Sequence, residues 1–179
     1  MTVRLAALAL CTVLAAGCSP RTDTTEDADV AAAAEPQGLT AAHLADLIAA
    51  DGAAHTVAVL TGPADPTGID KVFQGVATGA PEWLAVVPAL EPATDGMYAE
   101  GLQDALATAL THNAPGVLAL IPDHASPLFV CAATNPPDAR TIAGRAAVEA
   151  VTDPALQTAK AECIRYFEGY QPPLEGAPG

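Results

Sequence analysis

The chain has 179 residues, with 21 acidic against seven basic side chains and a formal charge of −14; a surface of that sign repels phosphate backbones and argues against nucleic acid as a partner. Although 51% of the residues are hydrophobic, only 4% are aromatic, so a core has to be assembled from Ala, Leu and Val, which suits closely packed helices better than sheets. The length fits one domain with extensions, and 14 Gly with 16 Pro imply short, frequently interrupted helices. The acidity has two readings, solubility alone or an acidic face that meets a basic partner.

At the N-terminus Arg4 supplies a positive region and Leu5 to Ala16 an apolar run that is too short to cross a bilayer as a mature helix. The run ends in Leu14-Ala15-Ala16-Gly17-Cys18. This resembles the lipobox of bacterial lipoproteins, in which small residues before the cysteine let the peptidase reach the bond. The resemblance implies a signal peptide over residues 1–17, cleavage after Gly17, thioether diacylation of Cys18 and acylation of its new amine. Two or three acyl chains, palmitate among them, anchor stably where one is marginal. Ser19 in place of Asp favours, by analogy with the lipoprotein sorting rule, the outer membrane, with the domain facing the periplasm. The alternative is an ordinary secretory signal cleaved near Ala16, with Cys18 left as a spare thiol. Residues 18–38 read as a flexible acidic tether: SPRTDTTEDADVAAAAEPQ has almost no large apolar side chain to offset the entropy of ordering.

The domain is expected over residues 39–168. Thr40 suits a helix cap, and Leu39 and Leu44 stand at the spacing of a hydrophobic staple. Leu44, Leu47 and Ile48 form a stripe that Gly52 ends. His55 to Leu60, HTVAVL, has the β-branched content of a strand, but no second strand is at hand to pair with it, so it reads as helix. Ile69, Val72, Phe73 and Val76 recur near 3.6 residues, and Gly79 closes that helix. Pro81 opens a stripe of Trp83, Leu84, Val87 and Leu90, which Pro88 must kink or end.

The clearest amphipathic helix begins near Thr94 or Asp95, either of which can cap it. Leu102, Ala105, Leu106, Ala109 and Leu110 share one face with Tyr98, and Glu100, Gln103, Asp104 and Thr108 face water. His112-Asn113-Ala114-Pro115 stops it and starts a further short helix. In the long loop after Leu120, Leu128 to Cys131 (LFVC) is expected to press against the helices. Asp138 caps a helix carrying Ile142, Ala146, Val148 and Val151, and Asp153-Pro154 starts the last one, with Leu156, Ala159, Cys163 and Phe167 toward the core. Residues 169–179 read as a disordered tail. The total is an all-α fold of about seven to eight short helices stacked as helical hairpins.

Once Cys11 is removed with the signal peptide and Cys18 is acylated, Cys131 and Cys163 are the remaining thiols. In an oxidising periplasm two cysteines on apolar segments are expected to form a disulfide; two buried free thiols are the alternative.

Candidate chemistry is sparse. His43, His55, His112 and His124 show no metal-ligand spacing, so no metal or cofactor is expected. Asp123-His124 could orient an imidazole, but Ser126 lacks a nucleophile elbow and a disulfide would disable Cys131. Glu91 and Asp95 flank Pro92 as a carboxylate pair but read better as cap and solvent face. Gly62, Gly68, Gly75 and Gly79 are isolated and make no phosphate cradle. Trp83 with Tyr98 reads as core ahead of ligand platform.

Glu82-Trp83-Leu84, Thr94-Asp95-Gly96, Ala105-Leu106-Ala107-x-Ala109-Leu110 and Asn113-Ala114-Pro115-x-Val117-Leu118 together resemble a group of small exported helical proteins of Gram-negative bacteria. That group also carries two late cysteines, matched here by Cys131 and Cys163. It commonly has a plain asparagine-proline junction where this chain has Asn113-Ala114-Pro115. The resemblance, over residues 39–167, implies an all-helical fold and transfers no activity or catalytic residue. The expected function is therefore a non-enzymatic, lipid-anchored interaction module that docks another envelope protein, as an immunity or adaptor lipoprotein. The alternatives are a hydrolase of envelope material using Asp123 and His124, and a purely structural envelope component.

Overall fold

A computed structural model describes residues 38–170. Thr40 opens the first helix, α1 (Ala41–Asp51), its hydroxyl oxygen accepting from the His43 N–H at 3.1 Å. Leu39 and Leu44 are both buried on either side of that cap, the staple that fixes the angle at which the chain enters the helix. Gly52, at φ 82°, ends α1 and at once begins α2 (Ala53–Leu60); the left-handed backbone that allows this reversal is open to glycine without steric cost. HTVAVL is thus helical, and α1 and α2 pack as a hairpin.

Next comes α3 (Gly68–Ala77), with Val72 and Val76 fully buried. The stripe from Pro81 to Leu90 is split into two one-turn segments, α4 (Pro81–Leu84) and α5 (Val87–Leu90), the second with Pro88 in its first turn. Trp83, Leu84, Val87 and Leu90 are all buried. A 3₁₀ turn over Glu91–Ala93 leads to α6 (Gly96–Ala109), the longest helix among the described residues. Leu102, Ala105, Leu106, Ala109 and Leu110 are buried as the spacing predicts, whereas Gln103 and Thr108 are half-buried and do not face open water. Neither expected side-chain cap forms: Thr94 donates its hydroxyl proton to the Glu91 carbonyl, and Asp95 holds the cap position without a side-chain bond.

The rest of the domain comprises α7 (Ala114–Leu118), α8 (Pro127–Val130), α9 (Ala139–Glu149), a 3₁₀ turn over Pro154–Leu156, and α10 (Gln157–Phe167). The fold is all-α, with ten α-helical segments and no strand among the described residues. The expected number was lower because the stripe from Pro81 to Leu90 is split in two, with Pro88 in the first turn of the second piece, and Pro127 begins a one-turn segment of its own. None of the described helices is long and apolar enough to cross a membrane.

Packing centres on the α3–α6 contact, with α8 and α9 also against α6, and α10 against both α8 and α9. Two glycines make the close approaches possible. A methyl group at Gly75 would overlap the Trp83 indole, and one at Gly101 would overlap the Phe73 ring. Burial of each large side chain such as Leu102, Leu106 or Val72 contributes about 1.5–3 kcal/mol. That aliphatic interior is the rigid floor on which the C-terminal elements are mounted.

Candidate interaction groove

The long segment after α7 is tied to the floor at two places. Its Ser126 N–H donates to Gln103 Oε1 of α6 at 3.1 Å. Five residues later, Cys131 is bonded to Cys163 of α10, with both residues fully buried and 5.2 Å between their Cα atoms.

Between those ties α8 is a single turn, so its four side chains cannot all face inward. Pro127 and Val130 are buried, while Leu128 and Phe129 are 38% and 57% exposed. LFVC is therefore only half pressed against the helices. The same correction applies on α9: Ile142 is 61% exposed, and the buried positions are Thr141, Gly144 and Val148.

Asp138 holds the start of α9 as the sequence predicts. Its Oδ1 accepts from the Thr141 N–H at 2.7 Å, and its own N–H donates to the Thr134 hydroxyl at 2.8 Å. The Thr134 and Thr141 hydroxyls lie 3.3 Å apart. The Thr141 N–H favours the charged carboxylate, and with the Thr141 hydroxyl and the Arg140 charge it holds the Asp138 pKa below its ordinary value.

Together these elements enclose a cleft of about 130 Å³. Leu110 forms its floor, Phe129 and Phe167 its apolar walls, and Thr141, Gly144 and Arg140 the α9 side. A shallower depression past Ile142 and Pro137 shares Thr141 and Phe167 with it, so the apolar surface runs on over α9. At the rim Arg140 pairs with Asp104 at 2.6 Å, and Arg145 pairs with Glu149 at 2.8 Å and with Glu168 at 3.6 Å. The Glu149 bond raises the Arg145 pKa.

The other candidate groups do not converge. His43, His55 and His112 are exposed, and no three His, Cys, Asp or Glu side chains among the described residues are placed to hold a metal. Asp123 is exposed and His124 half-buried, with the His124 Nδ1 buried and without a hydrogen-bond partner, so no carboxylate orients that imidazole through Nδ1. Glu91 is half-buried and Asp95 exposed. Trp83 is core, 1% exposed, while Tyr98 is half-buried. Cys18, the expected acylation site, and the tail from residue 171 onward lie outside the described residues.

Sequence reasoning did not single out the groove. Its signal was Leu128-Phe129, with Phe129 two positions before a cysteine that has to turn inward to reach its partner.

The chain matches no family model, no curated protein and no solved structure. What its geometry defines is a class by architecture: an all-helical, disulfide-bridged domain with a small groove of mixed polar and apolar lining beside the bridge.

Proposed function

We propose that this chain is a lipid-anchored interaction module of the bacterial envelope, tethered through Cys18 to the outer membrane and facing the periplasm. There it docks a protein partner, as an adaptor or an immunity lipoprotein, and carries out no reaction of its own. The observation that carries the docking part is the groove, where Phe129 and Ile142 stay exposed beside a cleft whose walls are fixed by a disulfide. Exposed apolar side chains grouped beside a cleft on a bridged frame offer a partner a contact point that solvent does not satisfy. The anchoring part is supported by the placement of Leu14-Ala15-Ala16-Gly17-Cys18 behind a basic residue and an apolar run. The late cysteines and short motifs, which resemble those of small exported helical proteins, support an envelope location.

The experiment is a pull-down from envelope extract with the full-length chain as bait, run beside a Phe129→Glu chain. A protein retained by the first and lost from the second supports the docking reading; no protein retained above background contradicts it. Fractionation tests the anchor separately: Cys18→Ser should release the chain from the membrane fraction.

A further inference from the structure

We infer that the groove takes a single apolar side chain, aromatic or branched aliphatic, carried by a cationic segment of a partner protein. The inference rests on the docking reading above and adds to it the chemistry of the occupant.

The size of the cleft sets the scale of what it can seat. A dry cavity of roughly 150 Å³ holds one benzene ring, so about 130 Å³ has room for one ring or one branched side chain. Phe129 and Phe167 present apolar ring surface to it, and the only hydroxyls on its α9 side belong to the mutually engaged Thr134–Thr141 pair. The lining is mixed, with Arg140, Thr134 and Thr141 beside Leu110, Phe129, Val130 and Phe167, and a ring or a branched aliphatic group fits against the two phenylalanines.

The charges of the domain set the character of what flanks that side chain. Among the described residues the Lys and Arg side chains are Lys71, Arg140, Arg145, Lys160 and Arg165. Each is engaged within the chain. Lys71 pairs with Asp65, Arg140 with Asp104, and Arg145 with Glu149 and Glu168. Lys160 donates to the Glu149 and Val151 carbonyls, and Arg165 stacks on Tyr170. Around the groove, Asp104, Asp138, Glu149 and Glu168 face only two guanidinium groups, Arg140 and Arg145. Asp104, Glu149 and Glu168 are more than half exposed, so carboxylate oxygens there remain open to further donors. The surplus of carboxylates around the rim favours an occupant that brings cations to flank the seated side chain.

The same balance weighs against other occupants. A second copy of a chain with charge −14 is repelled, as are an anionic lipid surface and nucleic acid.

The test uses the full-length chain in detergent and three fluorescein-labelled heptapeptides, followed by fluorescence anisotropy. The first has a central phenylalanine between alanines, with two lysines at each end. The second replaces the lysines with glutamates, and the third replaces the phenylalanine with alanine. Saturable binding of the first peptide is expected, weaker by about tenfold or more for each of the other two, and weakened further by salt.

Two chain variants localise the site. Phe129→Glu changes an exposed position, and Gly144→Ala places a methyl group in the cleft at ordinary contact distance, 3.6 Å from Leu110 and Phe167; circular dichroism confirms that each is folded. Both should lose about tenfold in affinity for the first peptide.

Equal binding of the lysine and glutamate peptides, no binding of the lysine peptide, or full binding by both folded variants would overturn the inference. If the pull-down retains a groove-dependent partner while the lysine peptide does not bind, the occupant has been misassigned and the docking reading stands. If the lysine peptide binds the groove and the pull-down is empty, the groove chemistry stands and the docking reading falls.

Discussion

Asn113 and Gly79, 34 residues apart, are joined by one hydrogen bond: the Asn113 Nδ2 donates to the Gly79 carbonyl at 2.8 Å. The same carboxamide caps α7, its Oδ1 accepting from the Gly116 N–H at 3.0 Å. One side chain thus pins the α6–α7 turn to the turn before α4, where Gly79 has φ 72°. Replacement Asn113→Ala leaves two backbone groups without their partner and should cost about 1–3 kcal/mol. Asn113→Asp keeps the cap but loses the donor, and should fall between the two. Urea denaturation of the three proteins gives the order.

The bridge between Cys131 and Cys163 spans 32 residues, and a cross-link of that length stabilises by roughly 2–4 kcal/mol. Converting both residues to alanine should lower the melting temperature, and reductant should then have no further effect on the variant. If reductant shifts the melting of the variant as much as that of the parent chain, the bridge is not what it acts on.

Two glycine-to-alanine changes should move stability in opposite directions. At Gly75 the new methyl overlaps the buried Trp83 ring, and overpacking of that kind costs about 1–3 kcal/mol. At Gly144, inside α9, the methyl meets Leu110 and Phe167 at 3.6 Å, and alanine is the better helix former by about 1 kcal/mol. Thermal melts of the pair test whether α3 and α4 are packed as closely as the geometry requires.

Acid should act through Asp138. Its folded pKa lies below the ordinary 3.8, so its contribution to stability is complete above that value and is lost as the pH falls through the depressed one. Asp138→Asn removes the titrating group and should flatten the acid limb of a stability–pH curve below about pH 4. A mutant curve parallel to the parent throughout would show that the limb belongs to other carboxylates.

Much of the fold was legible in the sequence because its signals are local. Thr40, Asn113, Asp138 and Asp153 are short polar residues ahead of apolar periodicity, and each accepts a hydrogen bond from a backbone N–H of the first turn it caps. The stripe of α6 follows directly from 3.6-residue geometry. The groove was not legible, because nothing local distinguishes Phe129 from Val130. Their opposite fates are set by a covalent tie to a helix 32 residues away, which turns Cys131 inward and leaves Phe129 outside. Ile142 misled for a related reason. The buried face of α9 is made by Thr141, Gly144 and Val148, and the first two, a polar and a small residue, carry little weight in a hydrophobic pattern.

The most direct test of the groove as a docking site is photo-crosslinking in living cells, with a photoreactive residue placed in turn at Phe129, Ile142 and Met97, all exposed. The same discrete protein adduct from positions 129 and 142, absent from position 97, is the expected result. An identical pattern from all three positions, or adducts from position 97 alone, would contradict it.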